Sequence, residues 1–123
     1  MIRAWLAIAA CAGVLSVAAG AIAAHLGGGE PQAVELLRTG SLYGMVHAAA
    51  LVGIAALVER RERRLPLLAI AGWSFATGTC LFSFSLFALA LTRWLWLAAV
   101  TPFGGTALLI GWMALGLGAL RRT

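Results

Sequence analysis

The chain has 123 residues, 63% hydrophobic and only 11% charged, with a mean hydropathy of +0.99 and a formal net charge of +5. Soluble domains carry roughly 25% charged and about 45–50% apolar residues, so this composition excludes a cytosolic enzyme, a disordered tail and a disulfide-knotted secreted module. The charge comes from nine Arg and four Glu, without Lys or Asp, and the arginines fall at the ends of apolar runs. They form no basic stripe, which argues against a nucleic-acid partner.

The first apolar run, 4–26, follows Arg3 and ends at Gly27-Gly28-Gly29. Its start resembles a secretory signal, and Ile8-Ala9-Ala10-Cys11 resembles a lipoprotein cleavage box. The run is nonetheless longer than a signal core of ~7–15 residues and stays apolar past Cys11, so it is expected to remain as a membrane helix. After Pro31, the mixture of Glu30, Glu35, Val34 and Leu37 predicts one or two turns of surface helix. The second run covers 40–58 and stops at Glu59-Arg60-Arg61-Glu62-Arg63-Arg64. Pro66 suits a first helical turn and opens the third run, 66–91. Arg93, Trp94 and Trp96 lead into the fourth, 95–120, which ends at Arg121-Arg122. Each run can cross a hydrocarbon core of ~30 Å. The predicted fold class is therefore all-α: a single domain, 1–123, forming an integral membrane bundle of four transmembrane helices, with a short interfacial helix between the first two.

Four spans put both termini and the 59–64 loop on one side. That side carries seven arginines (Arg3, Arg60, Arg61, Arg63, Arg64, Arg121, Arg122) against two, Arg38 and Arg93, on the other. The imbalance predicts cytoplasmic termini and a multi-pass protein of the bacterial inner (plasma) membrane. Trp5 is expected at the inner interface, with Trp94 and Trp96 at the outer one. Gly20/Ala24 and Gly40/Gly44 have the four-residue spacing of closely approaching helices, within one bundle or between copies. Cys11 and Cys80 lie within apolar runs and are expected to be buried structural thiols.

Depth follows from a rise of ~1.5 Å per helical residue. Counted from the arginines, His25, Ser85 and Thr101 reach the outer edge, with Ser83 just below. His47, twelve residues before Glu59, lies ~18 Å from the inner boundary, and Tyr43 stands one turn above it. These groups converge on the outer half of the membrane. Hydroxyls there commonly bond backbone carbonyls and need no function. An intramembrane histidine tends to face the interior and pair, so His47 is expected neutral, beneath Tyr43 and against a hydroxyl of the third or fourth helix. Two histidines make a weak metal signal, so no metal site and no cofactor are expected. All four glutamates lie in loops or at segment ends, which leaves little with which to build a proton pump or hydrolase. In Thr101-Pro102-Phe103-Gly104-Gly105 the proline either starts the fourth helix or kinks a longer one from Trp94. The backbone groups it frees require side chains, water or a bound headgroup.

Four ordered signatures carry a family resemblance: Gly20-Ala21-Ile22-Ala23-Ala24-His25, Tyr43-Gly44-Met45-Val46-His47, Leu81-Phe82-Ser83-Phe84-Ser85-Leu86, and Thr101-Pro102-Phe103-Gly104-Gly105 with Gly111-Trp112. Together they resemble the small bacterial membrane proteins of the YgdD/YwdK type, the domain of unknown function 423 family, to which the animal transmembrane protein 256 is similar. Ala23 and Phe84 stand where that pattern usually has glycine. The resemblance implies a four-span inner-membrane protein and lends no activity.

The residues point to a non-enzymatic membrane protein, an accessory subunit or a binder of lipid or another hydrophobic ligand. Its candidate site comprises His25, Tyr43, His47, Ser83, Ser85, Thr101, Pro102, Gly104 and Gly105. The expected partners are membrane lipids, further copies of the chain or a larger membrane complex. A small oligomeric transporter or channel is the alternative, and a His-ligated metal or haem protein ranks third.

Overall fold

The computed structural model describes residues 1–25, 30–60 and 65–121. Gly27-Gly28-Gly29, most of the charged cluster after Glu59, and Arg122 lie outside the described residues. Helix α1 (Ile2–His25) is followed by α2 (Pro31–Glu59) and α3 (Pro66–Thr79); a five-residue π-helical turn (Cys80–Phe84) then joins α3 to α4 (Ser85–Thr92), and α5 (Leu97–Leu120) completes the bundle. With α3, the π-turn and α4 counted as one span of 27 residues, four helices are long and apolar enough to cross a membrane. No strand occurs among the described residues.

Helix α1 packs along α2, and α3 along α5. The buried stripe of α1 is Trp5, Ala9, Ala12, Ser16, Ala19 and Ala23, spaced alternately by four and three residues. Helix α2 answers with Val34, Leu37, Ser41, Gly44, Ala48, Leu51 and Ala55 in the same rhythm. A repeat averaging 3.5 residues keeps one seam facing its partner along a left-handed crossing. Lipid chains are as apolar as these side chains, so close packing of small residues has to hold the seam together. The seam is locked by Ser41, whose hydroxyl donates to the Ser16 carbonyl at 2.6 Å.

Several sequence expectations are revised. The segment after Pro31 is helical but not a separate surface helix; it is the start of α2, which runs 29 residues without a break. At ~1.5 Å per residue α2 is ~44 Å long, so its polar first turns extend past a core of ~30 Å. Trp5 is no interface anchor, because its ring is fully buried against Gly72, edge-on to Trp73 at 6.0 Å. Helix α5 begins at Leu97 and carries Pro102 inside it, so the proline is not the helix start. Cys11 lies on the exposed face of α1, and Cys80 is half-buried. Of the small-residue pairs, Gly40 and Gly44 are both buried in α2, whereas Ala24 is exposed.

Candidate functional site

Helix α2 presents His47 on its second buried flank, toward α3 and α5. The imidazole is only 5% exposed. Its Nδ1 lies 2.7 Å from the Tyr43 carbonyl oxygen, one turn back on the same helix. A carbonyl can only accept, so Nδ1 carries the proton and donates. The other ring nitrogen, Nε2, accepts from the Trp112 indole N–H at 3.0 Å, across the bundle from α5. This pairing fits the neutral Nδ1–H tautomer and uses both nitrogens. An imidazolium would set N–H against N–H at Trp112.

Aromatic rings enclose the pair. Tyr43 stacks nearly parallel to His47 (6.0 Å between centroids, 9° between planes), and Phe75 of α3 meets it edge-on at 5.6 Å. Trp112 packs edge-on against both His47, at 5.8 Å, and Phe75, at 4.9 Å. Phe82, within the π-turn, touches Tyr43 at 4.8 Å. Phase along α5 explains the arrangement: a Cβ on Gly111 would lie 2.6 Å from the Phe75 ring, so only glycine there admits Phe75 beneath Trp112. The cluster also reaches the outside, since Tyr43 is 43% and Trp112 44% exposed on the outer surface of the bundle.

The other predicted residues fall into separate groups. The hydroxyls of Ser85 and Thr101 pair at 2.7 Å, tying α4 to α5; one donates across the pair and the other to a carbonyl, that of Phe82 in the π-turn for Ser85 or of Leu97 for Thr101. Ser83 is buried one turn from His47, where a Cβ on Gly44 would lie 3.3 Å from its Oγ. The Oγ atoms of Ser83 and Ser16, both beside Gly44, have no hydrogen-bond partner among the described residues. His25 ends α1 exposed, and no bond or ring contact joins it to His47 among the described residues. Gly104 packs against the π-turn so closely that a Cβ would lie 2.8 Å from Phe82 Cα, whereas at Gly105 the nearest atom would be the Phe82 ring at 3.6 Å. Pro102 is exposed at the second turn of α5.

The expected hydroxyl partner of His47 is thus replaced by an indole. Trp112 and Phe75 were absent from the candidate set, although Trp112 was legible as an interfacial residue type placed inside an apolar run, away from either end. The π-turn left no pattern to read. No group of three metal-ligating side chains occurs among the described residues, and a metal at His47 would have to displace Trp112 from Nε2.

Residues 19–105 match the family model described as a protein of unknown function (DUF423). The chain is 38% identical to the UPF0382 inner membrane protein YgdD of Escherichia coli (strain K12), over 97% of this chain and 91% of that protein. It is 36% identical to a UPF0382 membrane protein of Haemophilus influenzae, covering 95% and 94%. For the UPF0382 membrane protein YwdK of Bacillus subtilis the identity is also 36%, over 88% and 89%. No solved structure matches the chain.

Proposed function

We propose that this chain, which belongs to the DUF423 family of small membrane proteins, is a non-enzymatic binder of a hydrophobic ligand that seats against the Tyr43–His47–Trp112 cluster. The observation that carries the reading is the placement of His47: a polar ring buried within the span, closed off by a tryptophan that also faces the lipid. Aromatic walls suit an apolar body. If the indole turns outward, Nε2 becomes a single buried acceptor for one hydroxyl or N–H on the ligand. Nothing in the cluster suits catalysis. Glu30, Glu35 and Glu59 lie at the ends of α2, so among the described residues no carboxylate stands near the imidazole as a partner for proton transfer.

The test uses two photoactivatable probes in the same vesicles, a long-chain alcohol and the matching hydrocarbon, each bearing a diazirine. The alcohol should label the peptides containing Tyr43 and Trp112 in excess over the hydrocarbon, and His47→Leu should remove that excess while helicity is retained. Equal labelling by both probes, or an excess that survives His47→Leu, overturns the reading.

A further inference from the structure

At the end of the bundle away from the chain termini, the starts of α2 and α5 and the end of α4 enclose an open groove of about 240 Å³. Its wall is apolar, formed by Leu36, Leu89, Ala90 and Leu95 among others, and its rim holds one anion and one cation, Glu30 and Arg93, which form an ion pair. Beside it, Trp94 and Trp96 stack at 6.4 Å, both exposed, as aromatic side chains do at headgroup depth. We propose that this groove binds a phospholipid with a zwitterionic headgroup carrying a primary ammonium, of the phosphatidylethanolamine class. It uses none of the residues around His47.

Two points set this pair apart from an ordinary surface pair. Arg93 has φ 59°, the left-handed region, and is the one non-glycine residue with positive φ among the described residues. That conformation is uncommon for a side chain without special reason; here it caps α4 and accompanies the return of the guanidinium toward Glu30. An exposed ion pair contributes little to stability, so holding the fold together is a poor reason to retain it. The rim therefore offers one acceptor, the Glu30 carboxylate, beside one fixed cation, Arg93.

That donor set selects among headgroups. A phosphodiester pairs with the Arg93 guanidinium through charge-assisted hydrogen bonds. A primary ammonium donates its N–H groups to the Glu30 carboxylate. A trimethylated ammonium has no N–H to donate, and an anionic glycerol headgroup brings no positive charge to Glu30. The acyl chains continue along the leucine and alanine wall.

The test is native mass spectrometry of the full chain in detergent, exchanged against phosphatidylethanolamine, phosphatidylcholine and phosphatidylglycerol with identical acyl chains. Wild-type protein should retain the ethanolamine lipid about tenfold over the others, the scale of one charge-assisted hydrogen bond. Glu30→Gln should abolish that preference, whereas Arg93→Gln should lower retention of all three lipids, since each carries the phosphodiester that Arg93 holds. In the double variant E30R/R93E the ion pair is kept but its direction reversed; a structural pair tolerates the reversal, whereas the lipid site loses its preference. Equal retention of the three lipids by the wild type, or an unchanged preference in the reversed variant, overturns the proposal. Water-soluble phosphoethanolamine should not displace the lipid at equal concentration; if it does, the apolar wall takes no part and the lipid assignment fails.

Discussion

His47 and Trp112 each satisfy the other's polar atom, and each is costly to leave alone. Replacing Trp112 with Phe keeps the ring contacts with Phe75 but leaves Nε2 buried without a donor. Interhelical side-chain hydrogen bonds in membranes contribute about 0.6 kcal/mol on average and up to about 1.7, and an unsatisfied buried acceptor costs about 1–3 kcal/mol. Trp112→Phe should therefore destabilise the protein by about 1 kcal/mol in an SDS unfolding titration. His47→Leu leaves the indole N–H free instead, but Trp112 is half-exposed and can turn away. A double-mutant cycle between the two positions should return a favourable coupling of about 0.5–2 kcal/mol. Additive effects would show that the bond makes no net contribution. The sequence foretold a buried polar role for His47 because an ionisable group deep in a span must find a partner. It did not foretell which partner: the same count puts Trp112, nine residues before Arg121, closer in depth to His47 than the hydroxyls of Ser83, Ser85 or Thr101, but the expectation looked to hydroxyls rather than to an indole. Depth fixes only one coordinate, and the rotation of α5 about its axis decides the rest.

The elements repeat that lesson. The apolar runs located all four helices, because about 20 apolar residues are needed to cross lipid. The runs could not show that α2 extends through Pro31–Thr39, since amphipathic turns are compatible with either a separate surface helix or a continuation. The π-turn at Cys80–Phe84 was equally hidden, because one residue inserted into a continuous, mostly apolar helical segment breaks no pattern. Its counterpart on α5 makes it testable. A Cβ at position 104 would press on the Phe82 backbone, which cannot swing aside as a side chain can; at position 105 it would make ordinary contact with the Phe82 ring. Gly104→Ala should cost about 1–3 kcal/mol through overpacking. Gly105→Ala should be neutral or stabilising by up to about 1 kcal/mol, the gain in helix propensity over glycine. Thermal unfolding of the two variants in the same detergent measures the contrast, and similar losses at both positions would contradict close packing of α5 on the π-turn. The same reasoning separates Thr101-Pro102-Phe103-Gly104-Gly105 into three duties: a hydroxyl pair with Ser85, a proline that leaves the Ala98 carbonyl without its usual donor, and a packing glycine.

Orientation in the membrane belongs to the molecule as a whole. The bundle alternates direction from helix to helix, so Ile2, Glu59, Pro66 and Leu120 lie at one end, and Glu30 and Arg93 meet at the other. Counted along the sequence, the segments flanking the first of these ends carry seven of the nine arginines. Short loops rich in arginine stay cytoplasmic, and the bias is counted on Lys and Arg rather than on net charge. We propose on this basis that both termini are cytoplasmic. A reporter active only in the cytoplasm should work when fused after Thr123, and one active only in the periplasm should not. The loop between α2 and α3 supplies most of the asymmetry. Changing Arg60, Arg61, Arg63 and Arg64 together to Gln leaves three arginines against two, a bias too small to enforce one orientation. Both reporters should then give partial signals. Should the four-Gln variant keep the wild-type pattern, something other than the arginine bias sets the topology; should the periplasmic reporter alone work on the unaltered chain, the orientation is reversed, and the Glu30–Arg93 groove would face the cytoplasmic leaflet.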